Sequence, residues 1–286
     1  MPNAGSRTRL ILLGVGGGPR PRVASSSPAQ VIVVDDVAYV VDCGNGVARQ
    51  LVSAGVALPW LRHVFLTHHH SDHNADYGNL LLLAWASGLG TRVDTWGPPP
   101  IERITRLFFE MSAYDIAVRI ADEGRVAPEP LVHVHEFSQG GVVLEDTVVK
   151  VTAALVDHPP VVPAFAFRFD GSDRSIVISG DTVPSDTLIR LAQDADVLVH
   201  EALYVPALDR LVARVPNAAR LKAHLLACHT AADDCGRVAA AAGVKTLVLS
   251  HLVPADDPSV TEGMWLDAAT AHFKGEVVVG KDLMEI

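Results

Sequence analysis

The sequence predicts an α/β fold, a four-layer α/β/β/α sandwich in which two mixed sheets face each other beneath outer helices. Three observations predict it. Short β-branched runs recur throughout the chain, stretches of helical spacing alternate with them in its later portion, and 49% of the 286 residues are hydrophobic. A sheet buries a face and a helix buries a stripe, so two sheets with helices outside satisfy both patterns.

In order, strands are expected at 9–13, 31–34, 38–41, 63–66, 148–154, 165–169, 175–178, 197–199, 246–249 and 276–279. Each is a short run rich in Val, Ile, Leu or Phe. Helices are expected at 46–54, 74–87, 101–111, 185–193, 231–242 and 259–273, where apolar residues return every three or four positions. The first third is strand-rich and the rest alternates. Proline clusters at 98–100 and 159–163 read as loops rather than interdomain linkers. No short-period repeat is visible, so one domain is expected over 1–286. The helix-compatible stretch 204–227 lies between two candidate catalytic segments. It reads either as a roof over the site or as an ordinary surface connection.

A net charge of −10 argues against a surface that attracts polyanions everywhere. Lysine is scarce, so any local basic groove must be built from arginine. Cys43, Cys228 and Cys235 form no C-x-x-C pair and read as reduced thiols, which points to the cytoplasm. The N-terminal apolar run at 10–13 is too short for a signal-peptide core or a membrane span.

The chemistry concentrates at Thr67-His68-His69-His70-Ser71-Asp72-His73-Asn74, between an apolar run and an expected helix. It contains H-x-H-x-D-H: His68, His70, Asp72 and His73. Imidazole nitrogens and a carboxylate suit zinc and related divalent ions. The same residue types recur after later strand-like runs, at Asp157-His158, Gly180-Asp181 and Ser250-His251. Any one alone reads as a structural loop residue. Together they can meet above one sheet edge, where loops place functional groups on a rigid scaffold.

This constellation resembles the metallo-β-lactamase superfamily along nearly the whole chain. The resemblance implies that His68, His70 and His158 hold one metal. Asp72, His73 and His251 hold a second, with Asp181 bridging. The implied cofactors are two divalent ions, zinc first, with manganese or iron as alternatives. His69 is expected to point away.

Further features resemble the ribonuclease Z-like proteins and the zinc-dependent arylsulfatases. They are the glycine cluster Leu12-Leu13-Gly14-Val15-Gly16-Gly17-Gly18-Pro19, the turn Asp42-Cys43-Gly44, and the loop from Asp157-His158 to Pro163-Ala164-Phe165. The glycine cluster lacks the Lys-Ser/Thr pair of a P-loop and reads as a strand-end turn. In that subgroup the early acid supports rather than reacts. His200-Glu201-Ala202, followed by His229-Thr230-Ala231, resembles the subgroup's paired Glu and His. A carboxylate that orients an imidazole raises its basicity and makes it a proton donor. The structural alternatives are a buried Glu201 and a capping Thr230.

The expected function is hydrolysis of small esters, arylsulfatase-like or phosphodiesterase-like. Asp72 and Asp181 would hold a metal-bridging hydroxide, from a water acidified from about 15.7 towards neutrality. His229, oriented by Glu201, would protonate the leaving oxygen. No long glycine/proline/basic arm is present and no basic–aromatic stripe appears, which lowers the alternative of tRNA 3′-end processing. A non-catalytic metal sensor is a further alternative, and a di-iron redox centre a smaller one. The expected partners are a small-molecule ester and a second copy of the chain, the homodimer being implied by resemblance alone. Nucleic acid is disfavoured and a membrane is not expected. Specificity is assigned to segments 97–130 and 204–227. Trp85, Trp96, Phe109 and Tyr114 either line a pocket or pack in the core.

Overall fold

Every residue of the run Ala29–Val34 is buried, as a strand covered on both faces requires. Its side chains alternate between two apolar layers. Val31 and Val33 join the cluster beneath the outer helices, whereas Ile32 and Val34 join the cluster between the sheets. In the other half of the molecule, Leu247 and Leu249 face an outer layer while Val248 enters the central one. Three apolar layers thus separate four layers of structure. The expected sandwich is what the chain forms.

The computed structural model describes residues 8–286; the first seven residues of the expected single domain lie outside it. The first sheet holds β1 (Thr8–Gly14), β2 (Ala29–Val34), β3 (Val37–Val41), β4 (Leu61–Phe65), β5 (Val93–Gly97) and β6 (Val132–Glu136). The second holds β7 (Gly141–Glu145), β8 (Val149–His158), β9 (Val161–Gly171), β10 (Ser175–Ile178), β11 (Val197–Leu203), β12 (Thr246–Val253) and β13 (Glu276–Val279). The short β14 (Met284–Glu285) closes the first sheet beside β1, giving seven strands in each. Both sheets are mixed, with an antiparallel half and a parallel half.

Helices α1 (Val47–Ser53), α2 (Ser71–Asn74), α3 (Tyr77–Ala86) and α4 (Ile101–Glu123) follow the first sheet's strands. Helices α5 (Asp186–Leu191), α6 (Leu208–Ala213), α7 (Leu221–Cys228), α8 (Ala232–Ala242) and α9 (Glu262–Thr270) belong to the second half. Between the sheets, Phe65 meets Phe167 and Phe169 edge-on at 5.3 Å each. Among the described residues, no helix is long and apolar enough to cross a membrane.

Some elements differ from expectation. Strands β5, β6, β7 and β14 were not expected, because Asp, His, Gly and Glu interrupt their β-branched residues. The expected helix at 74–87 forms as α3, and the separate turn α2, which carries Asp72 and His73, precedes it and was not expected as a helix. Helix α4 runs for 23 residues, and its second half has only Ile116 buried, which weakens the apolar period there. Segment 97–130 is therefore mostly this helix, and it does not border the pocket described below. Trp85 and Phe109 pack with Ile116, Trp96 stacks on His135, and Tyr114 is 84% exposed. Segment 204–227 forms a turn at Val205–Ala207 followed by α6 and α7. Leu203, Leu208, Leu211, Leu225 and Val253 give it a small core of its own.

Candidate metal centre

Asp42 leaves β3 in the left-handed region at φ 60°, and its amide donates to the Phe65 carbonyl at 2.8 Å. This fixes its carboxylate beneath the histidine loop. It accepts the Thr67 amide at 2.8 Å, the Thr67 hydroxyl at 2.9 Å and His73 Nδ1–H at 2.7 Å. His68 Nδ1–H donates to Thr67 Oγ1 at 3.0 Å, and His158 Nδ1–H donates to the Cys228 carbonyl at 2.8 Å. For His68 and His158 the partner fixes the tautomer and leaves Nε2 with its lone pair free, and for His73 it turns Nε2 towards Asp181.

Those lone pairs converge. His68 Nε2 and His158 Nε2 lie 3.0 and 3.1 Å from His70 Nδ1. Metal–nitrogen distances of about 2.0–2.1 Å in a tetrahedral site place ligand atoms roughly 3.3 Å apart, close to this spacing. Asp181 Oδ2 stands 3.8 and 3.9 Å from the Nε2 atoms of His68 and His158. It stands 3.3 and 3.2 Å from the Nε2 atoms of His73 and His251. Asp72 Oδ2 completes the second group, 3.6 Å from His73 Nε2 and 3.3 Å from His251 Nε2. The structure thus brings together all seven side chains proposed as ligands, with Asp181 between two groups. His69 turns away to the Pro98 carbonyl and Asn74.

The donor set fits cations. His73 Nε2 and Asp181 Oδ1 are buried without a hydrogen-bond partner, an unfavourable state that a bound ion removes. Burial pushes His68 well below the usual imidazole range, and burial with His158 nearby lowers His70 to about 4. Burial opposes ionisation of Asp181, yet His251, His73 and His68 hold it well below the carboxylate range. Burial likewise opposes a proton on His73, but Asp181, Asp42 and Asp72 hold its pKa well above normal. A proton on His73 then occupies the place where a cation would balance three carboxylates.

Local backbone devices aim these groups. In the pairing of β11 with β12, Glu201 faces Ser250 and Ala202 faces Leu252, so His251 is the extra residue of a bulge, at φ 43°. Gly180, at φ 59°, lets the chain turn into Asp181; a Cβ there would meet the Phe165 carbonyl at 2.7 Å. A Cβ on Gly17 would meet His251 Nδ1 at 2.5 Å, and the Gly18 amide donates to Asp72 Oδ2 at 2.9 Å. The glycine cluster is therefore a wall of the centre as well as a strand-end turn. Arg22 ties it down by donating to the carbonyls of Gly16, Gly17 and Gly18. Sequence reasoning passed over Arg22, and only its closeness to the glycines could have signalled it.

Glu201 is buried in β11, and its Oε1 lies 3.0 Å from His229 Nδ1. Burial disfavours the imidazolium, but Glu201, Cys228 and Asp181 raise the His229 pKa to about 11. A pocket of about 300 Å³ opens over the centre, with His70, Asp72, Asp181, His229 and His251 among its polar groups. Leu211, Val215, Leu221 and Leu225 supply much of its apolar wall, so segment 204–227 does roof the site.

The chain matches the beta-lactamase superfamily domain over residues 38–252. It is 34% identical over 280 residues to the ribonuclease Z of Mycobacterium bovis (strain BCG / Pasteur 1173P2), covering 97% of each chain. Because a relative of that name matches end to end, the missing arm does not set this chain apart from it. Among solved structures, the metallo-beta-lactamase fold protein YhfI from Bacillus subtilis superposes with a TM-score of 0.72 at 22% identity, covering 98% of this chain and 99% of that one. The short form of human tRNase Z gives 0.71 at 20% identity, covering 97% and 98%. This chain belongs to the beta-lactamase superfamily and, within it, to the ribonuclease Z-like hydrolases.

Proposed function

We propose that this hydrolase cleaves phosphodiester bonds of RNA, as a processor of tRNA 3′ ends, using two zinc ions. The name carried by its relatives over their full length favours RNA above the small esters expected from composition. The observation that carries the chemistry is His229, held by Glu201 at 3.0 Å, at the pocket wall 3.9 Å from Asp181.

In this reading His68, His70 and His158 would hold one ion, Asp72, His73 and His251 the other, and Asp181 would serve both. Bound divalent ions supply an acidified water and a Lewis acid for developing charge. The chain's own groups do the rest. Asp72, fixed by the Gly18 amide, and Asp181 orient the attacking water. His229 gives its proton to the departing oxygen, and Glu201 keeps the ring turned towards it. The roof limits access of bulk water, which strengthens each of these interactions.

A second reading is small-ester hydrolysis, favoured by the largely aliphatic pocket wall and the net charge of −10. One experiment separates the two. Zinc-loaded and chelator-stripped protein would be given a tRNA precursor with a 3′ extension and, in parallel, p-nitrophenyl sulfate, phosphodiester and carboxylic esters. Metal-dependent cleavage at the 3′ extension with salt-sensitive binding establishes the RNA reading. Turnover of small esters with an intact precursor overturns it. A metal sensor would turn over none.

The homodimer belongs here too. We place it along α4, whose outward side chains Leu107, Met111, Tyr114 and Val118 recur at helical spacing. The three cysteines are free and buried, in keeping with a reducing cytoplasm.

A further inference from the structure

His229 directly follows α7, so the two are one continuous piece of pocket wall. Leu221, His224 and Leu225 of α7 line the pocket, joined by Leu211 and Val215 from the preceding segment and by Val253. Helices α6 and α7 pack mainly on each other and on the turn at Val205–Ala207. Ion pairs hold the roof's edge, Arg210 to Asp257 at 2.9 Å and Arg214 to Asp256 at 3.1 Å. The roof forms its own wall of the pocket, mostly apolar apart from His224, over a polar floor.

We propose that this roof is the leaving-group subsite and takes one planar apolar ring, from an aryl alcohol or from an unstacked nucleobase. The inference rests on His229 as the donor to the leaving oxygen. An oxygen within reach of His229 carries its substituent alongside α7, where Leu221 and Leu225, with Leu211 and Val215 beside them, outnumber the one polar side chain, His224. A pocket of about 300 Å³ admits one ring with its ester group and excludes a stacked helix. Aliphatic side chains hold an extruded base or an aryl ring by contact alone, because either has a flat apolar face. An RNA substrate must then present an unpaired nucleotide at the scissile bond.

The test uses metal-loaded enzyme and the variants Leu221→Asn and Val215→Asn, both at partly exposed positions, so that the fold is spared; melting temperature and metal content confirm this. Two substrates, bis(p-nitrophenyl) phosphate and methyl p-nitrophenyl phosphate, share p-nitrophenol as leaving group and differ only in the group retained. Each variant is expected to raise KM about tenfold for both substrates, with kcat little changed. The affinity for p-nitrophenol itself, read from its absorbance on binding, falls by the same factor. A loss confined to the bis ester puts the ring on the retained side and overturns the proposal, as does no loss on either.

A parallel loss on single-stranded RNA makes a nucleobase the natural occupant. A loss on aryl esters alone makes it an aryl alcohol. Where no phosphodiester or tRNA precursor is cleaved, the phosphodiesterase reading fails by itself. The roof is still decided, by p-nitrophenyl acetate if that turns over and otherwise by p-nitrophenol binding.

Discussion

Glu201 grips His229 through a single oxygen: Oε1 lies 3.0 Å from His229 Nδ1 and also accepts the amides of Thr182 and Thr230, each at 3.1 Å. Its other oxygen is buried without a partner. A carboxylate held by two backbone amides cannot swing, so the imidazole has one orientation and a fixed acceptor beside its Nδ1.

The pH dependence follows from that pair. Burial lowers the pKa of His229, but Glu201 overrides it and raises the value to about 11 in the metal-free protein. The sign is that of a raised base. The charged ring contributes stability that is full below about 6.5 and lost as pH climbs through about 11. Bound cations repel the imidazolium and bring that value down. NMR titration of the metal-free protein should show His229 still protonated well above pH 8. In the loaded enzyme, Glu201→Gln should move the alkaline limb of kcat towards acid. An unmoved limb would remove Glu201 from this role.

Bridging and proton donation should separate by metal analysis. Asp181→Ala removes the carboxylate shared by both groups and should empty both sites, with activity lost. His229→Ala should keep both ions, measured by elemental analysis, and slow poor leaving groups by about 10²–10⁴-fold, activated ones much less. If His229→Ala emptied a site, His229 would be a ligand rather than a donor.

Asp42 links the two halves of the histidine motif, holding Thr67 and His73 at once. Asp42→Ala leaves the Thr67 amide and the His73 ring without their acceptor, in a buried place. Unpaired buried donors cost about 1–3 kcal/mol each, and losing a partner of this kind weakens metal affinity about 10–100-fold. Competition with a zinc chelator should show that drop, together with a lower melting temperature for the metal-free protein. Affinity equal to wild type would show that the backbone alone orients His73.

What could be read in advance divides along physical lines. His68, His70, Asp72 and His73 were legible because six consecutive residues carry the pattern, on a strand-to-helix connection that β4 and α2 supply. His158, Asp181 and His251 were legible only as polar residues following apolar runs. His158 and His251 in fact lie within β8 and β12, because both strands run further than their apolar stretches. The bulge that aims His251 depends on pairing with β11, and no local sequence encodes a neighbour's register. Asp42 meets His73 across 31 positions, and Gly17 meets His251 across a far longer gap, so neither contact leaves a trace in spacing. Strand β6 was hidden because its histidines and glutamate face solvent in part, and residues of that kind carry no packing signal.

Gly17→Ala tests whether the glycine cluster is part of the site or only a turn. The added methyl would stand 2.5 Å from His251 Nδ1, 2.6 Å from its Cε1 and 2.6 Å from Val253 Cγ2, so the ring must move. Gly17 is not among the residues with positive φ, so strain there comes from this contact and not from the backbone. The first group, His68, His70 and His158, lies outside the clash. The expected result is selective: the site containing His251 loses occupancy, activity falls at least tenfold, and the other ion stays. Overpacking of this kind costs about 1–3 kcal/mol, which a melting curve of the metal-free protein registers as a modest shift. Two ions bound with full activity would mean that the loop yields instead of the ring, reducing the cluster to the strand-end turn. Loss of both ions would show that His251 supports the first group through Asp181, the carboxylate it shares with that group.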